Sequence, residues 1–307
     1  MRILLLILFP ILSHAQLFEG TITYSVTYEH HALPSPWSTT VYEDEIIFRI
    51  NKSGDYERIT KANGTEVSRE LYRHKENMLY RGESERSFIT AIPCTIAGTD
   101  SLLYIDRIGG EAEILGHPVK SLMYVTKNDS IVDLYAEDLR TDASLYKYHL
   151  YRSLDQKYGK SQGGIALWRI VKNKDYTKTI EATKIESGVF SPSSFMLPAD
   201  KIVISICSPE EPASPENGYR FYELVGQKLR YPAEARRKHI EGKVFVEFVV
   251  TKDGKAIDFK VIKGEAGGLN EEAIRVMKEI DMRWKPAVLN GQKVPSLMVL
   301  PLSFKLG

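Results

Sequence analysis

Tyr231-Pro232-Ala233-Glu234-Ala235-Arg236-Arg237-Lys238, then Gly242, then Lys243-Val244-Phe245-Val246-Glu247-Phe248-Val249-Val250: this stretch reads as a short helix running into a strand. Pro232 suits the first helical position, where a missing N–H costs nothing. A glycine ends the helix, and the β-branched and aromatic run after it favours an extended chain. Asp253-Gly254 supplies the positive φ of a tight hairpin turn, so Ala256 to Ile262 reads as the return strand. Leu269, Ala273, Val276, Met277 and Ile280 recur at helical spacing, with Asn270 as N-cap and Glu271 and Glu272 placed to complement the helix dipole. Trp284-Lys285-Pro286-Ala287, the turn Asn290-Gly291 and a closing strand Leu297–Leu306 follow. The order helix, strand, strand, helix, strand defines a small α+β module over residues 218–307.

Ahead of the module, Ser208-Pro209-Glu210-Glu211-Pro212-Ala213-Ser214-Pro215-Glu216-Asn217 is almost free of apolar residues. It reads as a Pro/Glu-rich linker over 207–217, spanning about 30 Å if extended. Residues 16–206 read as a mainly β domain, a curved antiparallel sheet or half-barrel. Ile22, Tyr24, Val26 and Tyr28 alternate with Thr21, Thr23, Ser25 and Thr27, and Ile46, Phe48 and Ile50 repeat the period of two. Further strands are expected at 77–81, 87–92, 102–108, 111–115, 119–125, 131–135, 165–171 and 177–185, separated by turns such as Asn63-Gly64 and Gly109-Gly110. A helix around Leu139–Leu154 is poorly patterned.

The chain has 307 residues, enough for two domains. Residues 1–15 read as a signal peptide: Arg2, an apolar run Ile3–Leu12, then Ser13-His14-Ala15, with cleavage expected between Ala15 and Gln16. That run is shorter than the roughly twenty residues a spanning helix needs, so an exported, periplasmic protein is expected. The net charge of +1 divides unevenly: residues 218–307 hold 17 Lys and Arg against 11 Asp and Glu, residues 16–217 hold 23 against 29. A basic C-terminal module could attract an acidic peptide, a phosphate-bearing polymer or the acidic N-terminal domain itself. Nucleic acid is not expected, because the charges are scattered and export removes the chain from it. Cys94 and Cys207 either pair as a disulfide, which export permits, or are two unrelated thiols.

The series Tyr231-Pro232, Ile240-Glu241-Gly242-Lys243-Val244, Asp253-Gly254, Leu269-Asn270-Glu271-Glu272-Ala273, Trp284-Lys285-Pro286-Ala287 and Pro301-Leu302-Ser303-Phe304 resembles the C-terminal domain of the TonB family. The resemblance implies capture, by strand addition, of a segment of an outer-membrane TonB-dependent transporter or another envelope protein. The closing strand is the expected edge, since Pro301 is tolerated on edges and disfavoured in central strands. The partner-binding residues so implied are Gln227, Lys228, Arg230 and Tyr231, with Leu297, Val299, Leu300, Leu302 and Phe304. Two other functions follow from resemblance: energy transduction for transport across the outer membrane, which would need a membrane anchor, and lipid or lipoprotein carriage. The second arises because Phe18-Glu19-Gly20-Thr21-Ile22-Thr23-Tyr24, Ile114-Leu115-Gly116-His117-Pro118-Val119-Lys120 and Phe195-Met196-Leu197-Pro198 resemble exported half-barrels of the lipoprotein-carrier (LolA/LolB) type. In that class a concave sheet face holds acyl chains; Tyr24, Phe48, Tyr104, Met123 and Trp168 are the lining residues it implies, while ordinary core packing is the plainer reading.

No catalytic constellation stands out, and an enzyme is not expected. Gly82-Glu83-Ser84-Glu85-Arg86 lacks the second glycine of a nucleophile elbow. His30-His31 point to opposite faces of a strand and cannot share one metal. Gly267-Gly268 precedes a helix without the Lys-Ser/Thr of a phosphate loop. No cofactor or metal is expected, and a homodimer through edge strands stays open.

Overall fold

The computed structural model describes residues 17–31, 41–98, 102–280 and 282–306. The expected signal segment and its cleavage point lie outside the described residues. The chain forms two compact units, one of residues up to 84 together with 92–197, the other of residues 85–91 together with 198–307.

The first unit is built on antiparallel strands β1 (Gly20–His30), β2 (Glu45–Ile50), β3 (Tyr56–Ala62), β4 (Thr65–Arg73) and β5 (Met78–Glu83). After β6 (Phe88–Pro93), which starts in the second unit, come β7 (Tyr104–Ile114), β8 (His117–Val125), β9 (Ser130–Arg140), the helix α1 (Leu154–Ser161), β10 (Gly164–Lys172) and β11 (Tyr176–Ser187). The ladder of this unit runs β5-β4-β3-β2-β1-β11-β10-β9-β8-β7. Ile22, Tyr24 and Val26 are buried as the alternation of β1 dictates. They pair with Phe48 and Ile46 on one side and with Ile185, Ala182 and Ile180 on the other, building the core from cross-strand neighbours. Register shifts at Thr23/Tyr24, Thr60/Lys61, Ile108/Glu111 and within β10 mark bulges, which bend and twist a sheet. Gly109-Gly110 is therefore not the expected turn but a bulge inside one long strand. The expected helix at 139–154 is instead two 3-10 turns, Ala143–Tyr146 and Tyr151–Ser153, ahead of α1.

The second unit contains β12 (Ile202–Ser205), β13 (Ser214–Pro215), α2 (Gly218–Lys228), α3 (Ala233–Arg237), β14 (Gly242–Val250), β15 (Ala256–Lys263), α4 (Leu269–Glu279), β16 (Trp284–Lys285), β17 (Ala287–Leu289), β18 (Gln292–Val294) and β19 (Ser296–Phe304). The expected helix–strand–strand–helix–strand core is present, with α2 added before it. The main sheet is antiparallel, in the order β15-β14-β19. Val244, Val246, Phe248 and Val250 alternate onto one face and pack with Phe221, Leu269, Ala273, Val276, Trp284, Leu302 and Phe304. Each such large side chain contributes about 1.5–3 kcal/mol on burial. The N-cap of α4 is Gly268, not Asn270, whose Oδ1 instead accepts from Glu265 N at 2.9 Å.

The opposite face of the same sheet is also covered. Phe88, Ile202 and Ile204 pack on Val249 and Ile257, with β12 parallel to the start of β6. Arg86, from the same short segment, donates through Nη1 to Glu247 Oε1 at 2.9 Å, and its Nε lies 2.8 Å from Asp258 Oδ1 as an ion pair. Ser87 donates to Asp258 through both N and Oγ, at 2.7 and 2.8 Å.

The expected linker is incorporated into this unit. Glu210 N donates to Val288 O at 2.9 Å, Ala213 is buried in the core, and Ser214–Pro215 pair with Lys285 and Trp284. Low apolar content does not keep a segment free when its backbone can join a short ladder; a proline in that ladder simply forgoes one donor. Both cysteines are free thiols. Cys94 is fully buried in a cluster with Tyr72, Leu79 and Tyr146, and burial pushes its thiol pKa up to about 12, whereas Cys207 is exposed.

Candidate partner-binding edge and a charged cavity

β19 pairs with β14 along its whole length, from Gly242↔Phe304 to Val250↔Ser296, and with no other strand among the described residues. Its second hydrogen-bonding side is an edge. β12 packs near β19 without entering its ladder. Alternation divides the strand: Met298, Leu300, Leu302 and Phe304 turn to the core, while Leu297 and Val299 are exposed. Leu302 and Phe304, expected to touch a partner, are 3% and 1% exposed, so only their backbone is open to one. Leu300 packs partly against the core.

Tyr231 sits beside this edge: its hydroxyl donates to Ile240 O at 2.6 Å and its ring meets Phe304 edge-on at 6.1 Å. Gln227, Lys228 and Arg230 are held elsewhere. Gln227 donates to Glu223, Lys228 pairs with Glu279 at 2.8 Å, and Arg230 N donates to Glu272 Oε1 at 2.6 Å. Their contacts run along α2 and to α4, not to β19. Of the expected partner set, Tyr231 lies against Phe304 at one end of β19, and Leu297 and Val299 are exposed toward the other.

The first unit holds a cavity of about 210 Å³, lined from β1 to β5, β8 to β11 and the segment 149–161. Residues from so many strands can meet only where the sheet curves round them. Tyr24, Phe48 and Trp168 of the expected lining set line it; Tyr104 and Met123 do not, and Tyr104 is half exposed. Arg169, next to Trp168, stands opposite buried Ile180 and lines the cavity as well.

The lining is unexpectedly charged. Arg169 grips Asp133 with two hydrogen bonds, at 2.6 and 2.7 Å, and Tyr124 donates to the same carboxylate at 3.1 Å. Burial works against the Arg169 charge, but Asp133 and Tyr124 more than offset it and its pKa is raised. Glu70 is surrounded by three guanidinium groups: Arg152 at 3.1 Å, Arg81 at 3.6 Å and Arg58 at 3.9 Å. Burial would raise its pKa, yet Arg152, Arg58 and Arg81 hold it below the usual range. Arg58 shows the opposite balance, with burial lowering its pKa and Glu70 compensating only in part. His149 receives or gives a hydrogen bond at 3.2 Å with Tyr56 OH, while its Nδ1 is buried without a partner. Burial, aided by Arg152 and Lys157, lowers its pKa to about 4. Arg58, Glu70, Asp133, Arg152 and Arg169 were not legible as a set in the sequence, because charge at inward strand positions breaks the alternation that reveals strands.

The second unit is thus a small α+β unit with one open antiparallel edge, which leaves a row of backbone donors and acceptors unpaired. Residues 227–306 match the family of the Gram-negative bacterial TonB protein C-terminal region, so the chain carries a TonB C-terminal domain there. That family is an interaction domain, typically periplasmic, whose general partners are outer-membrane proteins. Among solved structures, the Helicobacter pylori TonB C-terminal domain is 26% identical over 29% of this chain and 79% of its own, with a TM-score of 0.23. PNGF-II, solved in the C2 space group, is 14% identical over 78% of this chain with a TM-score of 0.39; the chain spans 45% of its length. No curated protein matches the chain.

Proposed function

We propose that the protein is an exported, periplasmic binding protein that captures an extended segment of an outer-membrane transporter or other envelope protein on the free side of β19. The observation that carries this reading is the one-sided pairing of β19 next to exposed Leu297 and Val299. An incoming strand satisfies a row of backbone donors and acceptors at once, and the two apolar side chains add side-chain contact beside it. The basic balance of residues 218–307 favours an acidic segment.

The test uses the full chain, because residues 85–91 belong to the unit that bears the edge. Synthetic peptides from the periplasm-facing N-terminal segments of outer-membrane transporters are titrated against the wild type and the double variant Leu297→Lys, Val299→Lys. Charged side chains on an edge oppose strand addition, so binding is expected to weaken by about tenfold or more with the fold unchanged. Equal binding by the variant would remove β19 from the reading.

A further inference from the structure

We propose that the cavity of the first unit is a binding site for a small organic anion, its acidic group paired with Arg58 and its body, about the size of one ring, held by Tyr24, Ile46 and Phe48. This goes beyond the partner-binding reading and rests on a different unit of the chain.

The charge balance of the lining comes first. Four cationic side chains, Arg58, Arg152, Arg169 and Lys157, face two carboxylates, Glu70 and Asp133. Asp133 is fully engaged by Arg169 and Tyr124, and Glu70 is bonded most closely by Arg152. Arg58 has its one ion pair among the described residues with Glu70, at 3.9 Å, beyond hydrogen-bonding distance. A guanidinium drawn out of water without a bonded anion is costly, and a ligand carboxylate or phosphate would supply two parallel hydrogen bonds in the fork geometry that arginine offers. The Arg58 side chain is 29% exposed, so it is reachable rather than sealed.

The apolar part follows from register. Arg58 stands directly opposite Phe48 on β2, and Phe48 opposite Ile22 on β1, with Tyr24 and Ile46 paired one step along the same face. Opposite residues lie about 5 Å apart, so a ligand with its head on Arg58 lays its body against these side chains. Volume limits that body. About 210 Å³ equals roughly seven water volumes and is modestly larger than a site of about 150 Å³ known to hold benzene. It is smaller than the pockets of about 300 Å³ and more that hold drug-sized ligands. A long acyl chain exceeds it, so the concave face of this unit suits a compact acid better than a lipid tail.

The experiment is isothermal titration calorimetry on the full chain with benzoate, phenyl phosphate, benzyl alcohol, inorganic phosphate and hexadecanoate. Saturable binding of benzoate or phenyl phosphate at one site per chain is expected; which of the two binds more tightly names the head group. Benzyl alcohol, which keeps the ring without the charge, and inorganic phosphate, which keeps the charge without the ring, should bind about tenfold more weakly or worse. Arg58→Gln should lose binding to a similar degree. Arg73→Gln, which removes a surface ion pair with Glu76, should not. Equal binding of benzyl alcohol, unchanged binding by a folded Arg58→Gln, tighter binding of hexadecanoate, or no saturation by either ring anion below about 10 mM would each overturn the proposal. If Arg58→Gln fails to fold by near-UV circular dichroism, the comparison of charged and neutral ligands on the wild type decides alone.

Discussion

His149 illustrates how a single side chain can set a pH dependence. Its imidazole is 1% exposed, stacked on Tyr56 and tilted against Tyr72, and its folded pKa of about 4 lies below the ordinary value of 6.5. Above about pH 6.5 both folded and unfolded states hold it neutral, so it imposes no penalty. As pH falls through 6.5 the unfolded chain takes up a proton that the folded chain refuses, and stability declines until about pH 4. The loss is about 1.4 kcal/mol by pH 5.5 and about 3 kcal/mol in full. Urea unfolding at pH 7.5 and 5.5 should therefore show a smaller difference for His149→Gln than for the wild type. Equal slopes would place the proton elsewhere. At the same scale, Tyr24, Phe48 and Trp168 of the expected lining set reach the cavity, while the neighbouring Arg169 was not foreseen there. A bulge in β10 resets which of two adjacent residues faces inward, and one extra residue leaves no mark in the alternation.

At the level of elements, the hairpin of β14 and β15 depends on its turn. Gly254 has φ +77°, and a Cβ there would come within 2.3 Å of Trp284 O, while its own carbonyl accepts from Trp284 N at 2.9 Å. The turn thus docks on β16, which explains why Asp253-Gly254 and Trp284-Lys285 belong to one pattern although some thirty positions separate them. Gly254→Ala should destabilise the second unit by on the order of 1–3 kcal/mol or more from the strained φ alone, measured by chemical denaturation followed through Trp284 fluorescence. An unchanged midpoint would mean the turn can shift. Strands with apolar alternation were legible: β1, β2, β8, β11 and β14 fall where the pattern puts them. β3 and β4 were not, because Glu57 bonds Arg49 and Arg69 on one face while Arg58 and Glu70 meet on the other. A strand whose two faces both carry charge has no apolar period to read.

For the whole molecule, the division into units does not follow the chain. Residues 85–91 belong with 198–307, and Arg86, with a side chain only 7% exposed, joins Glu247 and Asp258 there. Removing one partner of a buried pair costs about 3–5 kcal/mol, because the charges left behind are stranded. A fragment of residues 198–307 should therefore unfold at lower temperature than the same unit in the full chain, and Arg86→Ala in the full chain should move it the same way. Hydrogen exchange on β14 and β15 reads both; protection equal to the wild type in each case would show that 85–91 is dispensable.

The TonB C-terminal module was readable from local signals: a proline at a helix start, glycines at positive φ, an apolar stripe along α4, and alternation on β14. The period of two along its strands likewise marked the N-terminal half as mainly β. Three outcomes had to come from the folded chain: which side chains of β19 are exposed, that the Pro/Glu-rich segment joins the second unit, and that Arg58, Glu70, Asp133, Arg152 and Arg169 line one cavity. Those outcomes depend on register, bulges and contacts between residues far apart in the chain, and the energy of a charge depends on the neighbours that burial gives it rather than on its place in the sequence.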